Sequence, residues 1–533
     1  MDDELRRKVA EAIDEHAPGI VDVADQIHKK PEIGFEERFA SQLLADRLKA
    51  NGFEVEKPIG GLETAFRATK RGKGPGPTIA VLAEYDALPA IGHGCGHNLI
   101  GASGLGAAIG LGQVMDQLNG TFQIIGTPAE EGGGGKIILA DAGVFDGVDA
   151  SLMIHHAGPY TGSSTEYPGG TCLAVSHYKF VYHGKPAHAA GDPYNGANAL
   201  NGVIKLFTGI DAIRQHVRTD ARIHGIISHG GDAPNVVPHR AEARFYIRAG
   251  DQAYLEVLER KVLQIAEGAA LMTETKVEIS KEGPTCYDMR PSYVLGRRYE
   301  ENMREVGMTV YQGPRANERG PYSTDFGNIS YLMPSATGSF AISHDQIPGH
   351  SQQVVDASCS PFGYDQLIKV STAMALTAYD LFAQPEPSLR EAKDEHRALE
   401  RAVRGEVGKD EFTAEDAEDA EIEGLKGEGR GVIPSPFSRS SRSWRSWRLG
   451  GSTVSFFTCL PISRQHHLEA AALAGCGDGD GPFALIVGEY IGRGVVERLV
   501  GGALRRDGAE LAEGVLLVAA NKRDGRPGQR HAA

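Results

Sequence analysis

Cysteine is scarce in this chain of 533 residues. There are six, Cys95, Cys172, Cys286, Cys359, Cys459 and Cys476, and none forms a CxxC pair. That excludes a disulfide scaffold and points to a reducing compartment. Tryptophan is scarcer still, with Trp444 and Trp447 both in one Ser/Arg-rich run. No apolar run approaches the ~20 residues that cross a bilayer. The opening MDDELRRKVAEAIDEH has mixed charge where a signal peptide carries an apolar core, so the expected location is the cytoplasm. Positive charge is also in deficit: 55 Lys plus Arg against 70 Asp plus Glu give a net charge of −15, which repels polyphosphate and anionic lipid. Nucleic acid and membrane are therefore not expected as partners.

Glycine, by contrast, is abundant at 68 residues, which implies many turns and close backbone approaches. Hydrophobic residues at 41% and charged residues at 23% match a folding, globular chain, and the length calls for two or three cores. The spacing of Val9, Ile13, Ile20, Val23 and Ile27 predicts a helix from Glu4 to about Lys29, broken at Pro18-Gly19. A second amphipathic helix runs through Leu43, Leu44 and Leu48. Thr78–Ala83, Thr121–Ile125 and Ala150–Ile154 read as buried strands that end in charged or histidine residues, with the Gly/Ala-rich stretches 101–118 and 132–142 as helices between them. This alternation predicts an α/β core on a mostly parallel sheet, with a site along one edge. From about Leu173 the pattern changes to alternating runs at 177–182, 223–228 and 241–248 around two helices. The second helix spaces Leu255, Leu258, Val262, Ile265 and Ala269 by three and four. The resulting organisation is a core at 1–172, an inserted α+β unit at 173–289, a resumed core at 290–385, and a low-complexity linker and tail at 386–533. The tail carries an acidic run at 409–431 and a basic Ser/Arg run at 437–448.

Four windows carry chemistry. In HGCGHN, Cys95 and His97 stand two apart in a glycine-rich turn, a spacing that lets thiolate and imidazole reach one metal ion. The same window also suits a buried thiol, or a cysteine nucleophile with histidine as its base. In TPAEEGGGG, the adjacent Glu130 and Glu131 can divide labour, one binding metal while the other takes a proton from water; they also suit the start of a helix. The GGGGK just after them fails the phosphate-loop frame because Ile137 succeeds Lys136, so nucleotide binding is set aside. MIHHAGP contributes His155 and His156, and IPGHSQQ contributes His350. Together the windows offer Cys95, His97, Glu131, His155 and His350 as ligands with Glu130 spare, enough for two ions sharing a ligand.

The strings HKKPEIGFEE, AEYDALPAIGHGCGHN, GTPAEEGGGGK, FVYHGKPAHAA, GGDAPNVVP, STDFGNIS and IPGHSQQ, in order from about residue 5 to 382, resemble the metal-dependent aminoacylase/carboxypeptidase-G metallopeptidase family. The likeness is greatest to its amidohydrolase branch, that of the p-aminobenzoyl-glutamate hydrolases and the β-alanyl-lysine-type dipeptidases. The resemblance implies a dinuclear metallohydrolase core with an inserted lid and dimerisation domain, working as a homodimer. It implies two divalent ions, Zn or Mn, on Cys95, His97, Glu131, His155 and His350, with Cys95 where other branches use a bridging Asp. Glu130 is implied as general base and Asp86 as the carboxylate that orients a ligand imidazole. Glu84 sits where other branches place a metal-binding His, and His93 and His156 are read as neighbours. In the lid, the resemblance implies that His188 stabilises the oxyanion, often from the partner subunit, and that Asn235 contacts substrate. Ser323, Thr324 and Asp325 are expected to line the pocket. The activity implied is hydrolysis of an amide bond in a dipeptide, N-acyl amino acid or aminobenzoyl-glutamate type substrate by metal-activated water. Its rivals are a catalytically silent metal- or peptide-binding protein on the same fold and an amidase using Cys95 as nucleophile.

Overall fold

The computed structural model describes residues 2–163, 171–312, 320 and 322–403, together with five strand segments between 445 and 519. The chain divides into two units, Met1–Asp416 and Ala417–Ala533.

The first unit begins with α1 (Asp2–Lys29) and α2 (Arg38–Ala50). Where the sequence suggests a break, α1 runs unbroken through Pro18. Leu5, Val9, Ile13, Ile20, Val23 and Ile27 form one buried stripe in phase on both sides, while Pro18 and Gly19 face solvent. Packing of that stripe outweighs the hydrogen bond that the proline forfeits. The strands β1 (Glu54–Glu56), β2 (Phe66–Arg71) and β3 (Thr78–Ala83) come next, then α3 (His97–Gly112), β4 (Thr121–Gly126), α4 (Gly135–Asp141), β5 (Ala150–His156) and β6 (Gly162–Ser163). α3 is apolar all round and is buried on every face, as such a helix must be. A Cβ at Gly110 would meet the Ile13 side chain at 2.6 Å, so glycine there lets α1 and α3 close on each other.

A separate antiparallel sheet then forms from β7 (Ala174–His183), α5 (Ala199–Ile213), β8 (Arg222–His229), β9 (Arg240–Ala249), α6 (Gln252–Met272) and β10 (Lys276–Lys281), in the order β10-β7-β9-β8. Phe180, Tyr182, Phe245 and Ile247 on one face bury against Val203, Leu206, Leu258 and Val262 of the two helices, while Arg244 and Tyr246 point to the other face. This is the half-buried alternation of an antiparallel sheet. β8 is a free edge, with Ile226 63% exposed.

The core resumes with α7 (Tyr293–Glu305), α8 (Phe326–Ile329), β11 (Ser335–Phe340), α9 (Gln352–Ala357), α10 (Pro361–Ala383) and α11 (Pro385–Val403). The large sheet has the order β1-β2-β4-β3-β5-β11-β6; its four central strands are parallel, with antiparallel strands at both edges. The core runs past the boundary suggested at 385. Leu389 and Ala392 of α11 are buried, Lys393 pairs with Asp149, and Glu395 accepts hydrogen bonds from Ser292 Oγ and Tyr293 N. An amphipathic face, masked in the sequence by the charged residues around it, holds this helix.

In the second unit, Arg445–Leu449 pairs antiparallel with Ser452–Phe456, and Leu468–Ala474, Ala484–Tyr490 and Leu517–Ala519 form a three-stranded sheet. The acidic run and the start of the Ser/Arg run lie outside the described residues.

Candidate functional site

Parallel neighbours share their carboxyl ends, so the segments leaving β3, β4 and β5 gather at one sheet edge. β3 leads into Glu84-Tyr85-Asp86, and β4 leads through Ala129 into Glu130-Glu131. β5 is two residues longer than its apolar run, so His155 and His156 are its last residues and not part of the loop beyond. Cys95 and His97 stand where the chain turns into α3. Gly96 between them has φ +66°, and a Cβ there would lie 3.0 Å from the His156 ring, so the turn needs glycine on both counts. His350 arrives from the loop after β11.

Each imidazole is fixed by the nitrogen it does not offer. His97 Nδ1 donates to Asp86 Oδ1 at 2.9 Å, and His155 Nδ1 donates to the His156 carbonyl at 2.8 Å. The Nε2 atoms are the ones turned to the centre: that of His155 lies 3.5 Å from Cys95 Sγ, and that of His97 is buried without a hydrogen-bond partner. The other Asp86 oxygen accepts from Glu131 N at 2.9 Å, so one carboxylate orients both the ring and the Glu131 turn. Glu131 Oε1 has no aligned hydrogen bond, and His350 Nε2 stands 3.3 Å from it. Ligand atoms of Cys95, His97 and Glu131 lie within 4.8 Å of one another, as do those of Cys95, His155 and His156, and those of Glu84, His97 and His155. Buried polar atoms left without partners cost stability. A cation would supply what these atoms lack, and thiolate, imidazole and carboxylate are the donors that a Zn- or Mn-type ion accepts. The residues fit the metal centre that the motifs imply. His156, read from the sequence as a bystander, has both ring nitrogens buried and unpartnered beside Cys95 and His155.

Charge in the site is held under tension. Burial pushes the Cys95 thiol up to about 12, with His97 opposing, so its thiolate needs a positive partner. Burial, reinforced by Glu84, Asp325 and Glu131, pushes Glu130 well above the usual carboxylate range. His97 is held well above its ordinary value: burial works against its charge, but Asp86 and Cys95 outweigh it. Lys136, fully enclosed, places Nζ 2.5 Å from both Glu84 Oε1 and Asp325 Oδ1. Sequence alone gives no sign of this lysine, because four preceding glycines signal a turn and nothing signals burial.

The remaining expected residues are distributed differently. Asp325, expected to line the pocket, is buried instead, with Oδ1 on Lys136 Nζ and Oδ2 accepting from Lys136 N at 2.9 Å, so neither oxygen is offered to a substrate. Ser323 Oγ accepts from Arg248 of β9 at 2.8 Å and donates to the Leu173 carbonyl at 2.7 Å, and Thr324 caps toward Phe326 N. His188 and Asn235 are both exposed and come together: Ala189 N donates to the Asn235 carbonyl at 3.0 Å, and His188 pairs with Val236. His188 Nδ1 accepts from Gly191 N at 3.0 Å and from Ala190 N, which leaves the ring proton on Nε2 as a donor. Neither residue hydrogen-bonds, among the described residues, to the group around Cys95.

Comparison with known proteins places this geometry. Residues 175–273 match the peptidase dimerisation domain family. The Xaa-Arg dipeptidase of Mus musculus is 35% identical over 72% of this chain and 90% of its own length. One of the p-aminobenzoyl-glutamate hydrolase subunits of Escherichia coli K12 is 31% identical over 74% of this chain and 95% of its own. Among solved structures, an aminobenzoyl-glutamate utilization protein of Klebsiella pneumoniae superposes with a TM-score of 0.55 at 23% identity, covering 71% of this chain and 99% of that one. A Bacillus subtilis protein described as a dinuclear metal-binding peptidase of the M20 family gives a TM-score of 0.55 at 20% identity, covering 70% and 99%. The two structures share the fold, the two relatives share sequence along nearly their whole length, and on that footing this chain belongs to the M20 metallopeptidase family and is a hydrolytic enzyme.

Proposed function

We propose that the protein hydrolyses the amide bond of a dipeptide-like or aminobenzoyl-glutamate-like substrate, using two divalent ions, Zn or Mn, held by Cys95, His97, Glu131, His155 and His350. The observation that carries this reading is the convergence at one sheet edge of thiol, imidazole and carboxylate donors, among them His97 Nε2 and Glu131 Oε1 buried without hydrogen-bond partners, with Glu130 nearby. When bound, the ions supply Lewis acidity to the scissile carbonyl and to the attacking water. Glu130 takes the proton from that water and delivers it to the leaving amine nitrogen, a task that suits a carboxylate whose surroundings raise its affinity for a proton. Asp86 keeps the His97 proton on Nδ1 and so keeps Nε2 available. His188, with its proton on Nε2, donates to the developing oxyanion across the boundary between subunits, and Asn235 beside it contacts the substrate. Homodimerisation through the lid would bring it there, and the free edge of β8 offers Ile226 and Ile227 to a second copy. The domain divisions at 172 and 289 belong to this proposal, and so does a cytoplasmic site of action; no described helix is long and apolar enough to cross a membrane.

Two observations weigh against the rivals. A thiol pushed up to about 12 by burial is a poor nucleophile, which disfavours a cysteine amidase. A silent binding protein has no need of Glu130 beside a full ligand set. The test is release of free amine by metal-reconstituted protein from Xaa-Arg dipeptides, β-alanyl-lysine, p-aminobenzoyl-glutamate and N-acetyl amino acids. Cleavage of at least one class, abolished by chelator and restored by added Zn or Mn, is expected. Absence of cleavage by fully metal-loaded protein across all four classes would refute the reading.

A further inference from the structure

Lys136 has no exposed surface and sits in the first turn of α4, just past the Glu130-Glu131 pair. Its ammonium is 2.5 Å from Glu84 Oε1 and 2.5 Å from Asp325 Oδ1, and its own backbone N–H holds the second Asp325 oxygen at 2.9 Å. Glu84, Glu130 and Asp325 each bring a carboxylate oxygen within 4.8 Å of the others. Three carboxylates this close, with Glu84 and Asp325 buried and Glu130 half-buried, repel strongly and are poorly screened. Lys136 stands among them where a metal ion would otherwise be the natural counterion. Glu84 is held between two claims: Oε1 is on the ammonium, while Oε2 lies 3.7 Å from His97 Nε2, the nitrogen left without a hydrogen bond. Glu84 also falls within 4.8 Å of ligand atoms of both His97 and His155. Glu84 is therefore within reach of the ligand group while its Oε1 is held by Lys136.

We propose that Lys136 is a positioning residue of the hydrolysis, a built-in cation that holds Glu84 out of the metal-binding group and keeps Glu130 free to face the scissile amide. The proposal rests on the reading of Glu130 as the proton carrier. A tethered ammonium suits the task better than a third ion would. It neither exchanges nor admits water, and its position is fixed by α4 and by Asp325.

The test compares Lys136→Ala with wild type after loading with Zn²⁺. Metal content should rise by one ion per chain, because the vacated pocket of three carboxylates accepts a free cation. At the same time kcat should fall by about 10² with KM within about threefold, since what is lost is alignment in the transition state and not binding. Added ethylammonium, which replaces the truncated amine, should restore part of kcat and return the metal content to that of wild type. A kcat within about threefold of wild type in metal-loaded Lys136→Ala would overturn the proposal. If that variant does not fold, the paired variant Glu84→Gln/Lys136→Met removes both charges together. It should carry the wild-type number of ions and turn over within about tenfold of wild type, because no Glu84 carboxylate is left to enter the ligand set, whereas turnover about 10² below wild type would show that the lysine does not act through Glu84 and would also overturn the proposal. Glu130→Gln is measured in parallel. Turnover retained there would refute the role of Glu130, while the metal count of Lys136→Ala would still report on Lys136; turnover lost there but kept in Lys136→Ala would sink the Lys136 proposal alone.

Discussion

Glu130 and Glu131 are adjacent in the chain, yet their surroundings assign them different work. Glu131 turns an unpaired oxygen toward Cys95 and His97, and its backbone is tied to Asp86. Glu130 stands among Glu84 and Asp325. Glu130→Gln should therefore keep its metal and lose about 10³ in kcat, while Glu131→Ala should lose bound metal as well. Metal analysis beside steady-state kinetics checks both, and near-normal turnover in metal-loaded Glu130→Gln would contradict the mechanism. A different residue sets a pH dependence of stability. Glu37 is fully buried, accepts from Ala129 N at 2.8 Å, and burial raises its carboxyl to about 7. Unfolded, it releases its proton near the ordinary value of 4.5, so below that pH both states are protonated and nothing is lost. As pH rises from there to about 7 the unfolded chain ionises first, and stability falls by at most on the order of 3 kcal/mol before levelling off. Glu37→Gln, which keeps an acceptor for Ala129 N, should flatten this part of the curve. Thermal denaturation of both proteins from pH 4 to pH 8 measures it, and identical slopes would show that Glu37 does not titrate in this range.

At the scale of elements, the sheet edge was the most readable part of the molecule. Parallel strands buried on both faces write themselves as unbroken apolar runs, so Thr78–Ala83 appears in the sequence with the bounds it has in the structure, and the residues after each run are the site. Legibility falls where tertiary packing overrides a local signal. Pro18 looks like a helix end, but the stripe of Ile13 and Ile20 carries α1 past it. β10 escapes notice because its alternation is shallow and it is held by pairing with β7, nearly a hundred residues earlier in the chain. Lys136 is invisible because burial of a lysine depends on Glu84 and Asp325, both distant in sequence. α11 reads as the start of a charged tail, since only Leu389 and Ala392 mark its inner face. Its docking has a measurable consequence. A chain ending at 403 should match the full-length protein in kcat/KM within about threefold, because every proposed site residue precedes it. A chain ending at 385 should lose about 3–5 kcal/mol through exposure of the surface under Leu389 and Ala392 and loss of the Asp149 and Ser292 contacts. Equal thermal stability of the two truncated chains would show that α11 contributes nothing to the fold.

At the scale of the whole molecule, the proposed oxyanion donor His188 has, among the described residues, no hydrogen bond to the group around Cys95 in its own chain. The group around Cys95 belongs to the large sheet, whereas His188 and Asn235 lie exposed in loops beside the separate four-stranded sheet, where His188 pairs with Val236 and Ala189 N donates to the Asn235 carbonyl. That sheet lies largely in the segment that matches a dimerisation domain, and its edge strand β8 leaves Ile226 and Ile227 exposed. In the proposed function, an isologous pairing there carries one subunit's His188 to its partner's site. His188→Ala should then cost on the order of 10²–10³ in kcat with metal content unchanged, the range for losing one oxyanion donor. Mixing decides where that donor acts. In an equal mixture of His188→Ala and Glu130→Gln chains, about half the dimers are mixed, and each mixed dimer has one site with both groups intact, so activity should recover to about a quarter of wild type. Both parents are nearly inactive, which makes the recovered rate a direct count of composite sites. Recovery that grows with subunit exchange and stops at that level would establish the shared site. Exchange without recovery would place His188 over its own chain's metals, and a monomer with full activity would rule out sharing.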